Sequence, residues 1–165
     1  MLKLVLPPRE YTIETPEGDL EFRTTPEATL LLEHSLISIS KWEAKYKKPF
    51  LSSLEQKTRE ESLYYVKCMT LNKALSDDIY EMLTDEDIAK INEYIEDPRS
   101  ATWFSDDAGS KRRNRDIVTS ELIYYWMVAL QIPVEFEKWH LNRLITLIEV
   151  FNHKEAPQQK KSQLK

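Results

Sequence analysis

The side chains that could do chemistry fall into a few groups. Asp77-Asp78 and Asp85-Glu86-Asp87 set carboxylates side by side, as a divalent cation requires. A calcium loop, however, alternates Asp or Asn ligands, turns on a glycine and ends in a glutamate, and neither stretch does. Both follow a hydroxyl residue, Ser76 or Thr84, that can open a helix, so these acids are expected to face the positive end of a helix dipole. Cys68 is the single cysteine, which rules out an internal disulfide and fits a reducing cytoplasm. No histidine lies near it in sequence to act as its base, and a half-buried structural thiol is expected. His140, Asn142 and Arg143 are polar residues in an apolar stretch. They form either a buried polar cluster or a partner contact, or they flank the apolar stripe with their tips in water. Lys111, Arg112, Arg113 and Arg115 make the one dense basic run, expected as a solvated loop and otherwise as a contact for nucleic acid or an acidic partner. Trp42, Trp103, Phe104 and Trp139 complete the set as aromatic anchors. Trp42 and Trp103 are expected to be the more exposed pair.

Composition excludes more than it proposes. Glycine is limited to Gly18 and Gly109, which nearly eliminates phosphate-cradling loops, dinucleotide fingerprints and the cofactors they hold. No metal, cofactor or catalytic residue is expected. A net charge of −5 argues against a dedicated nucleic-acid binder. Apolar content is ordinary for a globular domain, and 165 residues suit one domain rather than two. The opening MLKLVL is too short for a signal peptide and runs into Pro7-Pro8, and no membrane-spanning segment is expected.

The elements that must position these residues centre on Thr119 to Phe151. Thr119 or Ser120 can cap a helix that is apolar nearly all round, which predicts burial on most sides and an end near Gln131, before Pro133. A second helix is predicted from just after Pro133, because Phe136, Trp139, His140, Arg143, Leu144, Leu147, Ile148 and Phe151 recur at spacings of three and four.

Earlier in the chain, Met1–Leu6 suits a short strand, and Tyr11–Thr15 and Leu20–Arg23 flank Pro16-Glu17-Gly18-Asp19 as a hairpin. Such a hairpin must gain a third strand, from Met1–Leu6 or Thr29–Leu32, or lie on the helices. A helix is predicted from about Glu33 to Lys47, and Phe50–Lys57 reads as a connector. Thr58 and Glu61 match a capping box opening the next helix. Short helices follow from Ser76 and from Thr84, the latter ending before Pro98. Ser100–Ser110 is a loop carrying Trp103 and Phe104, and residues 154–165 form a polar, disordered tail. The predicted architecture is α+β and mainly helical: residues 1–32 β-rich, then about five or six helices over 33–153, in one domain.

The order of blocks LEHSLISISKWEAKYKKPFL (Leu32–Leu51), YVKCMTL (Tyr65–Leu71), SATWFSD (Ser100–Asp106) and TSELIYYWMVALQIPVEFEKWHLNRLITLIEV (Thr119–Val150) resembles a group of small tailed-phage proteins. It is similar to the tail assembly chaperones of long-tailed phages, encoded upstream of the tape-measure protein. That resemblance implies a non-enzymatic protein of the host cytoplasm that binds the tape-measure protein and keeps it soluble. It also implies recruitment of tail-tube subunits, self-association, and absence from the mature virion. The alternatives are a structural virion protein of the tail or neck, and a nucleic-acid accessory protein using residues 111–115.

Overall fold

The first 32 residues form one long antiparallel ribbon. Strand β1 (Leu2–Leu6) pairs with β4 (Ala28–Leu32), and β2 (Arg9–Glu14) pairs with β3 (Leu20–Thr25). Both pairs keep the same register: Leu2 faces Leu32 and Arg9 faces Thr25, each couple symmetric about Glu17. The ladder breaks where Pro7 and Pro8, which lack N–H donors, come level with Pro26-Glu27. The turn at Thr15–Asp19 closes with Gly18 N–H on the Thr15 carbonyl and Thr15 N–H on the Asp19 carbonyl, both 2.8 Å. Gly18 sits at φ 87°, a left-handed position that glycine occupies without Cβ strain. Neither Met1–Leu6 nor Thr29–Leu32 becomes a third strand of the β2–β3 hairpin, because they pair with each other. The hairpin takes the other course and leans on the helices. Tyr11 donates to Asp78 at 3.0 Å, and Arg9 reaches Asp87 at 2.7 Å and the Met82 carbonyl.

The computed structural model describes residues 1–52, 56–72, 75–102 and 117–155. Its helices are α1 (Leu36–Tyr46), α2 (Arg59–Met69), α3 (Asp78–Glu81), α4 (Asp85–Glu96), α5 (Ser120–Ala129) and α6 (Leu141–Glu155), with a 3-10 turn at Val134–Lys138. The chain is thus α+β and mainly helical. Local chemistry sets most boundaries. Thr58 with Glu61, and Thr84 with Asp87, form reciprocal capping boxes, and Thr119 accepts from Leu122 N–H. At the end of α5, Gln131 adopts φ 55°, with Ile132 N–H on the Met127 carbonyl at 2.8 Å and Gln131 N–H on the Val128 carbonyl at 3.1 Å. This is a Schellman closure made without glycine.

Period-two alternation sends Leu4 and Leu6 of β1, and Leu30 and Leu32 of β4, into the core. They share one buried core with Leu36, Ile39 and Trp42 of α1, Val66 and Met69 of α2, and Leu144 and Ile148 of α6. Each such side chain contributes about 1.5–3 kcal/mol on burial. The outer edge of β4 is partly satisfied by residues after α2: Leu71 N–H bonds the Leu31 carbonyl at 2.7 Å, and Asn72 accepts from Leu31 N–H at 2.7 Å.

Three expectations are corrected. Residues after Pro133 do not run as one helix: the 3-10 turn ends at Trp139, whose backbone is extended at φ −69°, ψ 160°. His140 there bridges Ser35, and Leu141 N–H donates to the His34 carbonyl at 2.7 Å, so tertiary pairing removes the first turns from the helix. Helix α5 is not buried on most sides; Ser120, Ile123 and Met127 face inward while Tyr125 and Val128 are exposed. Lys154 and Glu155 continue α6 rather than leave the fold, and the rest of the expected tail lies outside the described residues.

Candidate partner-binding surface

The sequence-nominated residues separate by burial. Trp42, expected as an exposed anchor, is 2% exposed. Its indole N–H donates to the Glu61 carbonyl at 2.9 Å, and its ring packs against Tyr46 and Phe50. The period of α1 turns it inward, so it joins α1 to α2 as a core residue. Trp103, Phe104, Lys111, Arg112, Arg113 and Arg115 lie outside the described residues.

His140 belongs to a buried polar cluster, not to a stripe margin with its tip in water. The extended backbone at Trp139–His140 points the imidazole inward, where Nε2 donates to the Tyr94 carbonyl at 2.9 Å and Nδ1 accepts from Asn142 N–H at 3.3 Å. Asn142 then donates twice, to the Ile95 and Asp97 carbonyls, both at 2.9 Å. Together they satisfy the carbonyls at the end of α4, where no intrahelical donors remain. His34 lies beside His140, and Tyr65 donates its hydroxyl to His34 Nδ1. Burial, reinforced by the charge of His140, drives the His34 pKa down to about 3. Burial also lowers His140, against the Tyr94 carbonyl bond, which raises it. Burial pushes Tyr65 well above the ordinary tyrosine value. At neutral pH the pair is neutral and Tyr65 keeps the proton it donates. Tyr94, raised by burial and by Glu33, donates to Glu33 at 2.6 Å.

Other residues of the LEHS, KWEAKY and KWHLNRL blocks also hold elements together. Buried Glu43 accepts from Ser120 N–H and hydroxyl, at 2.8 and 2.5 Å, and from Phe50 N–H at 2.8 Å, tying α1 to the start of α5. Cys68 is buried, as expected of a structural thiol, and burial raises its pKa. Asp87 serves its capping box and bonds Arg9. No group of three or more His, Cys, Asp or Glu among the described residues is placed to hold a metal ion.

Two surface features remain. On α5, Tyr125 and Val128 lie one turn apart, 65% and 78% exposed, with Ala129 exposed beside them. Their spacings of three and four put them on one face. That face escaped the sequence reading because the helix is apolar all round, and periodicity then cannot say which side is covered. The second feature is the half-buried Trp139. It stacks on Phe136, with ring centroids 3.9 Å apart, and the exposed Arg143 lies 4.1 Å over its ring. His140 and Arg143, adjacent in the sequence reading, are thus separated: one is inside the fold and the other at the surface.

Among the described residues no helix is long and apolar enough to cross a membrane. Comparison with protein-family models, curated proteins and solved structures finds no match for this chain.

Proposed function

We propose that this protein is a tail assembly chaperone of a long-tailed phage, which binds the tape-measure protein in the host cytoplasm and keeps it soluble until tail-tube subunits displace it. The resemblance over residues 32–51, 65–71, 100–106 and 119–150 supports this reading. The observation that carries it is the exposed apolar face of α5, Tyr125 and Val128 with Ala129. An amphipathic helix docks on an apolar partner through residues spaced three and four apart, and Tyr125, Val128 and Ala129 give α5 that spacing. The Trp139–Arg143 stack adds an aromatic and an arginine, the residue types that dominate contact energetics.

The test is co-expression with the tape-measure protein of the same genome. Soluble tape measure that co-elutes with this chain, together with its absence from purified virions, is the expected result. An insoluble tape measure, with this chain present in virions, replaces the proposal with a structural tail or neck protein. Salt-sensitive DNA binding without any tape-measure complex replaces it with a nucleic-acid accessory role.

A further inference from the structure

Strand β3 is an open sheet edge. Among the described residues β2 is its one strand neighbour, and Arg9 and Tyr11 of β2 make the hydrogen bonds to the helices. Leu20 and Phe22 on β3 are 68% and 79% exposed. Natural edges are guarded by charged side chains, lysine above all, by proline or by a bulge, and the two charges on β3, Glu21 and Arg23, are of opposite sign. The run Leu20-Glu21-Phe22-Arg23-Thr24-Thr25 contains no lysine or proline, and its pairing with β2 proceeds residue by residue. A two-stranded ribbon is marginal by itself and gains stability from further strands or from packing against a helix.

The hairpin dictates which backbone groups face outward. Thr15 N–H bonds the Asp19 carbonyl, and Arg9 N–H and carbonyl both face the Thr25 hydroxyl. Hydrogen-bonded and open pairs alternate along an antiparallel ladder. Ile13 with Glu21 and Tyr11 with Arg23 therefore bond internally, and the N–H and C=O groups of Leu20, Phe22 and Thr24 point away from β2.

We propose that β3 pairs with β3 of a second copy, antiparallel about a two-fold axis at Phe22, to make a four-stranded sheet. In that register Phe22 meets Phe22 of the second copy in a hydrogen-bonded pair, and Leu20 meets Thr24 in another. Glu21 falls opposite Arg23 in the intervening open pair, where side chains are closest. Opposite charges meet twice, once on each side of the axis. Other registers fail on named groups. A slip of one residue sets outward groups against inward ones. An axis at Leu20 opposes Asp19 to Glu21, and an axis at Thr24 opposes Phe22 to Pro26, which has no N–H to give. The contact is isologous, as closed dimers require. It is independent of what the α5 face binds.

The experiment is sedimentation of the full chain over a wide concentration range, with three variants. Wild type is expected to show a reversible monomer–dimer equilibrium. Phe22→Pro removes an outward N–H while sparing the internal ladder, and is expected to abolish the dimer while the monomer keeps the wild-type fold by circular dichroism. Glu21→Arg alone opposes like charges on both sides of the axis and weakens dimerisation at least about tenfold. Adding Arg23→Glu to it restores the opposite pairs and the dimer. A wild type that stays monomeric throughout overturns the proposal. So does self-association that is indifferent to Phe22→Pro and Glu21→Arg, or that the double exchange does not recover.

Discussion

The imidazoles of His34 and His140 meet edge to face inside the fold, with ring centroids 5.1 Å apart. Both are pushed below the ordinary histidine value by burial, His34 to about 3. The unfolded chain takes up protons below about pH 6.5, while folded His34 does not until pH nears 3 and folded His140 does so later than in the unfolded chain. Stability is therefore full above pH 6.5 and falls as pH drops from there toward 3. His34 alone accounts for a loss of about 2 kcal/mol by pH 5. Chemical denaturation at pH 7.5 and pH 5 measures this, and His34→Gln should flatten the difference. An equal slope in wild type and variant would refute it.

Glu43 receives three donors from two other segments, Ser120 N–H and hydroxyl and Phe50 N–H. Glu43→Ala leaves these buried donors without their acceptor, and a loss of about 3 kcal/mol or more is expected. Glu43→Gln keeps part of the set and should fall between. The denaturation midpoints of the two variants rank them.

The link between the β2–β3 hairpin and the helices runs through Arg9 and Asp87, 2.7 Å apart and both largely buried. Burial raises the Asp87 carboxyl, but bonds from Thr84 and Arg9 outweigh this and leave it below its usual value. Arg9→Ala removes the partner of a buried carboxylate and should cost about 3 kcal/mol. Hydrogen exchange over residues 9–25 should accelerate more than exchange in α6. Uniform acceleration across the chain would count against this link.

Tyr125 and Val128 are exposed apolar residues whose loss should leave folding intact. Tyr125→Ser and Val128→Glu are expected to change stability by no more than about 0.5 kcal/mol. The same changes should weaken capture of the tape-measure chain at least about tenfold, since central anchors carry most contact energy. Unaltered capture by the double variant would move the contact elsewhere.

Cys68 is buried and burial raises its pKa, so its thiol is protonated and shielded at neutral pH. Alkylation should be slow in the native protein and should accelerate in step with denaturant unfolding. Fast native labelling would contradict its burial.

Sequence alone determined the features governed by neighbours along the chain. Thr58–Glu61 announced a capping box, Pro16–Gly18 a turn, and Pro133 a break after α5, because each acts within a few residues of itself. Tertiary structure decided the rest. The pairing of β1 with β4, the extended backbone at His140 and the inward turn of Trp42 depend on groups far along the chain: Leu32 for Leu2, Ser35 for His140, Glu61 for Trp42. Helical spacing carried the apolar stripe straight through Trp139 and His140. The bond from Leu141 N–H to the His34 carbonyl starts α6 later than that spacing does. In α5 every face was apolar, so only packing could choose Ile123 and Met127 for the core and leave Tyr125 and Val128 outside. The physical reason is the same throughout. Local caps and turns fix most element ends, but burial, register and the start of α6 are set by partners that periodicity does not identify.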